Sequence, residues 1–146
     1  MKLAISLATI VGFTVSLSAF EMTVNDEEVN SLLNTYDKET LTEISNELVK
    51  VASEEENLGE YEMASSHYKR ALKIREAIGL KAHKSFASIL YLSSGAAFKA
   101  GNYCEASLSA KEASLAFKAH GVSKYETKAA NDHVAYGRAC ELLAFK

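Results

Sequence analysis

The amino-acid sequence predicts an all-α protein, organised as a short α-solenoid of antiparallel helix hairpins. Three observations lead to this fold class. The 146-residue chain contains no proline, the residue that most strongly interrupts a helix. Apolar side chains recur at helical spacing, and no stretch alternates in the manner of a β-strand. Glycines recur with a period of 42 residues, which indicates a repeated unit of two helices.

Composition and charge narrow the class of protein further. Hydrophobic residues make up 48% of the chain and charged residues 24%, which are values typical of a single globular domain. The formal net charge is −3, so there is no basic excess with which to neutralise nucleic-acid phosphates. We therefore expect no nucleic-acid partner.

Residues 1–19 are interpreted as a secretory signal peptide, because Lys2 is followed by an uncharged and mostly apolar run that ends in small residues. Cleavage after Ala19 is preferred, and cleavage after Ser18 is the alternative. An uncleaved transmembrane anchor is a competing interpretation, since about 18 residues is the lower limit for spanning a bilayer. Serines and threonines within the run weaken it. The mature chain is expected to be periplasmic or secreted, with no membrane span.

The next segment, residues 20–39, predicts a short capping helix. Its apolar residues have helical spacing, and Asn25 or Asp26 is available as the N-cap. The apolar positions are Val29, Leu32, Leu33 and Tyr36.

The repeat domain is expected over residues 40–146. Three glycine pairs are each separated by 42 residues: Gly59 and Gly101, Gly79 and Gly121, and Gly95 and Gly137. The repeats are placed at about 40–81 and 82–123, followed by a terminal segment, 124–146. Helices are expected at about 40–57, from Gly59 to near Gly79, at 82–99, at 102–119 and at 124–143. Thr40 and Glu43 have capping-box spacing, and Gly79 suits a helix C-cap.

The segment LGEYEMASSHYKRAL, residues 58–72, resembles the second half of a tetratricopeptide repeat. That motif's Gly, Tyr, small, aromatic and small positions are occupied by Gly59, Tyr61, Ala64, Tyr68 and Ala71. The second copy matches at Gly101, Tyr103, Ala106 and Ala113, whereas Ala110 stands where the second aromatic belongs. The 42-residue period is similar to the kinesin-light-chain type of repeat. The resemblance implies an adaptor or scaffold that binds a protein or peptide in a groove.

On the register of that family, the first helices of the repeats line the groove. The groove candidates are Val49, Ser53, Ser88, Tyr91, Gly95, Phe98, Lys99 and His133. Tyr91 and Phe98 would offer aromatic surface to an apolar segment of a partner, or would be ordinary core residues. A structural subunit that self-associates through the ends of the solenoid is the alternative function.

Catalysis and metal binding are not expected. No two of the four histidines have the i, i+4 spacing of a helical zinc site. Asp132 and His133 are consecutive on a helix and therefore point about 100° apart. No phosphate-binding glycine loop and no nucleophile elbow is present in the sequence. The sequence thus predicts a non-enzyme without a cofactor.

Two groups of charged residues are the remaining candidates for a functional surface. Glu54, Glu55 and Glu56, with Glu60 and Glu62 across the turn, are either a solvated corner, which we prefer, or an acidic edge that binds a basic partner. Lys69, Arg70, Lys73 and Arg75 are predicted to form a basic back on the second helix of the repeat.

The two cysteines, Cys104 and Cys140, are predicted to form a disulfide. They lie 17 residues before and 19 residues after Gly121, so an antiparallel hairpin brings them to nearly the same height. An exported protein favours the oxidised pair. Two buried free thiols are the alternative.

Overall fold

The computed structural model describes residues 26–144, which form six α-helices and contain no strand. The helices are α1 (Asp26–Thr35), α2 (Lys38–Leu58), α3 (Tyr61–Ala77), α4 (Lys84–Lys99), α5 (Tyr103–Ala119) and α6 (Ser123–Ala144). The predicted all-α class is confirmed. The predicted signal peptide and Asn25 lie outside the described residues. No helix of residues 26–144 is both long enough and apolar enough to cross a membrane.

Consecutive helices pack against each other from α2 to α6, as in an array of helix hairpins. The core is divided into three clusters along this array. The first joins α1, α2 and α3 around Ile74, the second joins α2, α3 and α4 around Tyr68, and the third joins α4, α5 and α6 around Phe117. Each cluster is thus built by neighbouring hairpins, which is the packing expected of a solenoid.

Four of the periodic glycines end helices in the same way. At Gly59 the backbone φ is 82°, in the left-handed region, and the amide of Glu60 donates to the carbonyl of Glu55 at 2.9 Å. This is the Schellman motif, which favours glycine because a Cβ is strained at positive φ. Equivalent bonds follow the glycines that end α3, α4 and α5, namely Gly79, Gly101 and Gly121. Two of the three glycine pairs with 42-residue spacing therefore mark the ends of helices.

The start of α2 differs from the predicted capping box. Asp37, not Thr40, is the N-cap, and its side chain accepts a hydrogen bond from the Thr40 amide at 2.8 Å. Asp37 was overlooked because Thr40 and Glu43 offered a sequence match two residues inside the helix. The helix accordingly begins earlier than predicted, at Lys38.

The prediction that α3 carries a basic back is wrong, because its four cations do not form one exposed patch. Arg70 pairs with Glu28 and Lys73 pairs with Asp26, so two of its cations hold the acidic first turn of α1. Lys69 pairs with Glu105 of α5. Arg75, two residues before the end of the helix, is buried. The four cations therefore join helices instead of forming one exposed patch.

Helices α5 and α6 pack closely because the α5 face is built from small residues. Ala110 is fully buried. A Cβ added to Gly137 of α6 would stand 3.3 Å from the Ser107 Oγ. Cys104 and Cys140 are bonded across this interface, with their Cα atoms 4.8 Å apart. The structure thus brings together the two cysteines that the sequence pairs.

Candidate functional site

The face formed by α2, α4 and α6 carries the predicted groove residues. Ser53, Ser88 and Lys99 are exposed on this face. The half-buried candidates are Val49, Tyr91, Gly95, Phe98 and His133. Val49 packs against the second core cluster and thus belongs in part to the core.

Tyr91 joins α4 to its neighbours. Its hydroxyl donates a hydrogen bond to the Asp132 Oδ2 of α6 at 2.5 Å. Its ring meets the edge of Phe117 at 6.2 Å between centroids, and the Lys128 ammonium lies 5.6 Å from the ring centroid. Burial first, and the Asp132 carboxylate second, raise the pKa of Tyr91 well above its usual value. Tyr91 thus combines a packing role with a partly exposed surface.

Phe98 makes a second aromatic contact between α4 and α6. Its ring stacks on Tyr136 with centroids 4.2 Å apart and lies 5.1 Å from the ring of Tyr103. Such pairs add about 0.5–1.5 kcal/mol to the stability gained from burial. Phe98 is therefore a packing residue of the α4–α6 junction as well as part of the face.

The acidic residues at the end of α2 also join helices. Glu55 is buried, with its Oε2 2.7 Å from the His67 Nδ1 of α3. Glu56 accepts hydrogen bonds from the Tyr68 hydroxyl at 2.9 Å and from the Lys99 ammonium of α4 at 3.0 Å. The predicted solvated corner is therefore wrong for Glu55 and Glu56.

An open cavity of about 240 Å³ lies where α4, α5 and α6 meet. We call it the aromatic cleft, and it is lined by Ser88, Tyr91, Leu92, Phe117 and Tyr125. Ser88 and Tyr91 are sequence-predicted groove residues, whereas the other three were missed. Leu92 and Tyr125 are large apolar side chains that remain 40% and 43% exposed. The cleft is suited to an apolar side chain of a ligand.

A second open cavity, of about 430 Å³, lies where α2, the end of α3 and the start of α4 meet. We call it the polar cleft, and it is lined by Lys38, Thr42, Asn46, Arg75, Leu80, His83 and Ser85. Burial lowers the pKa of Arg75, although a guanidinium stays protonated throughout the physiological range. None of the groove candidates predicted from the sequence lines this cleft, and the sequence predicts Arg75 on the basic back of its helix.

The histidines make contacts that support the fold. The His133 Nδ1 lies 2.9 Å from both the hydroxyl and the carbonyl oxygen of Ser107, while the neighbouring Asp132 faces Tyr91. His83 is the N-cap of α4. Within residues 26–144, no three His, Cys, Asp or Glu side chains are grouped so that they could hold a metal ion.

Comparison with known proteins found no similar family: no family model, curated protein or solved structure matches the chain.

Proposed function

We propose that this chain is an exported, non-catalytic module that binds an apolar segment of a protein partner. The aromatic cleft is the observation that carries the proposal. Its lining combines the buried ring of Phe117 with the exposed side chains of Leu92 and Tyr125. Aromatic pockets of this kind accept the anchoring side chains of protein partners. The resemblance to tetratricopeptide repeats supports the same function, because it implies a binding groove on the first helices of the repeats, and α4 and α6 of that set contribute Ser88, Tyr91, Leu92 and Tyr125 to the cleft.

Two features support export. The amino-terminal pattern of a lysine followed by an apolar run is typical of a signal peptide. The Cys104–Cys140 bond is compatible with an oxidising compartment, where disulfides form and persist. Both features point to the periplasm or the extracellular medium.

Selection from a random peptide library displayed on phage tests the binding function. The full chain is expected to enrich peptides that contain an aromatic or large aliphatic residue. Tyr125→Ser is expected to lower their affinity at least tenfold, because it removes an exposed wall of the cleft. Tyr36→Ser is the matched control, since Tyr36 is 45% exposed and lies outside the cleft. Equal binding to both variants, or no enrichment at all, would contradict the proposal.

Self-association is a second candidate function, favoured by exposed leucines at the far end of the array. Leu108 and Leu115 lie two helical turns apart on α5 and are 68% and 59% exposed. Leu142 of α6 is 70% exposed. Light scattering across a wide concentration range tests this function, with Leu115→Glu as the disrupting variant. A chain that stays monomeric at every concentration rules it out.

A further inference from the structure

The polar cleft and the aromatic cleft occupy equivalent positions in consecutive repeats. Three of the seven residues that line the polar cleft become residues of the aromatic cleft when 42 is added to their numbers. The equivalent pairs are Asn46 with Ser88, Arg75 with Phe117, and His83 with Tyr125. Each cleft thus lies at the junction of a hairpin with the first helix of the next. One face of the array therefore presents the same cleft twice, with different chemistry.

Arg75 gives the polar cleft its charge. The residue is 6% exposed, and its guanidinium donates to the Ser45 Oγ at 2.7 Å and to the oxygens of Ser85 and Asn46. These partners are all neutral, and no carboxylate of residues 26–144 lies within ion-pair distance of Arg75. A buried cation without a counter-ion is unfavourable unless a ligand supplies the opposite charge. Two of the five guanidinium N–H groups remain for such a ligand.

Two further side chains add hydrogen-bond donors at the rim. Lys38 is exposed in the first turn of α2. The His83 Nδ1 accepts the backbone amide of Ser85 at 3.2 Å, so in the neutral ring the proton is on Nε2, which is a donor. The lining contains no aspartate or glutamate. Lysine, arginine and a histidine donor form a set that suits an oxoanion.

We propose that the polar cleft binds a carboxylate, carried by the same protein segment whose apolar side chain enters the aromatic cleft. The identity of that segment rests on the proposed function. The two clefts are one repeat apart, and α2 and α4 are close enough for the Glu56–Lys99 ion pair. The partner segment therefore presents an acidic group and an apolar side chain to neighbouring clefts of one face.

Titration of the full chain with small oxoanions tests the polar cleft alone. The probes are acetate and inorganic phosphate, added at constant ionic strength, and the readout is the ¹⁵N side-chain signal of the Arg75 Nε. Both probes are expected to shift this signal in a saturable manner. Lys38→Gln is expected to weaken acetate binding severalfold without disturbing the fold, because Lys38 is exposed. Lys111→Gln, at an exposed lysine of α5, is the control.

Three results would overturn the inference. The first is the absence of a saturable shift, and the second is an equal loss of binding in the Lys38 and Lys111 variants. The third is a shift with phosphate but none with acetate, because phosphate alone would then be the ligand of the cleft.

The phage-selected peptides test the link between the two clefts. Replacing the peptide's acidic residue by its amide is expected to lower affinity for the wild-type chain severalfold, and to have little further effect on Lys38→Gln. Tyr125→Ser is expected to lose the peptide and keep acetate binding. Peptides that bind without any dependence on an acidic group overturn the carboxylate assignment and leave the proposed function standing. Acetate binding without any selected peptide contradicts the proposed function instead.

Discussion

Consecutive residues of one helix can have entirely different roles, as the three glutamates at the end of α2 show. Their side chains point about 100° apart around the helix. Glu54 is therefore exposed, Glu55 is buried against His67, and Glu56 binds Tyr68 and Lys99. Arg75 shows the same effect on α3, since it turns into the polar cleft while its neighbouring cations face other helices.

Tyr68→Phe tests the buried bond between Tyr68 and Glu56. The substitution keeps the ring and removes the hydroxyl, so we expect the free energy of unfolding at neutral pH to fall by about 1 kcal/mol. Urea denaturation measures this change. Tyr36→Phe, at an exposed tyrosine, is the control and is expected to have no effect.

The same variant tests stability at alkaline pH. Burial, and then the bond to Glu56, raise the pKa of Tyr68 above its ordinary value of 10.0. Above this pH the unfolded chain releases a proton that the folded chain retains. The contribution of Tyr68 is thus complete below about pH 10 and declines as pH rises further. Tyr68→Phe is expected to flatten this decline; an unchanged slope would show that Tyr68 does not contribute to it.

At the scale of helices, contacts between residues close in sequence determine where each helix begins and ends. Packing against neighbouring helices determines which face of each helix is buried. Glycines in left-handed conformations end four helices, and the side chains of Asp37 and His83 cap the starts of two of these, α2 and α4. Gly95 and Gly137 lie inside helices instead, where no positive φ requires a glycine. Glycine at these two positions is therefore explained by packing or by binding, not by backbone conformation.

The N-cap assignment predicts that Asp37→Ala lowers the melting temperature at neutral pH, whereas Thr40→Ala has little effect. The hydrogen bond from the Thr40 amide lowers the pKa of Asp37. The stabilisation is therefore present above the ordinary carboxylate pKa of about 4 and is lost as pH falls below it. Asp37→Asn is expected to keep a cap without this pH dependence. Circular dichroism melts between pH 3 and pH 7 provide the measurement, and a larger effect of Thr40→Ala would favour the capping box.

The two interior glycines are expected to respond differently to alanine. Nothing lies within 4 Å of a Cβ added to Gly95, so Gly95→Ala should raise the free energy of unfolding by up to about 1 kcal/mol through helix propensity. Gly137→Ala should gain less or lose stability, because its Cβ would crowd the Ser107 hydroxyl at 3.3 Å. Urea denaturation compares the two variants. Equal stabilisation would show that α5 and α6 pack less closely than described.

At the scale of the whole molecule, α6 is the last helix of residues 26–144 and packs mainly against α5. The position of α6 therefore depends on its contacts with α5. The Cys104–Cys140 bond and the third core cluster provide these contacts. Tyr91 and Phe98 connect the same helix to α4. The aromatic cleft is therefore formed only when α6 is in place.

The disulfide gives a prediction for the whole molecule. Protein purified without reductant is expected to carry no free thiol after alkylation under denaturing conditions, as measured by mass spectrometry. The bond closes a loop of sequence separation 36. Reduction is expected to cost roughly 3–4 kcal/mol of stability in the chain-entropy model. Two alkylated thiols, or a melting temperature that dithiothreitol leaves unchanged, would contradict this prediction.

The sequence by itself determined the helices, because helix formation depends on local spacing, on the absence of proline and on glycines at helix ends. It also paired Cys104 with Cys140, since the distance of each from Gly121 is a property of the chain. Only the tertiary structure decided that Arg75 is buried without a counter-ion and that Glu55 faces His67. The same holds for Phe117 and Tyr125, which meet Leu92 in one cleft. Charge pairing and clefts depend on how helices are rotated against each other, and helical periodicity alone does not specify that rotation.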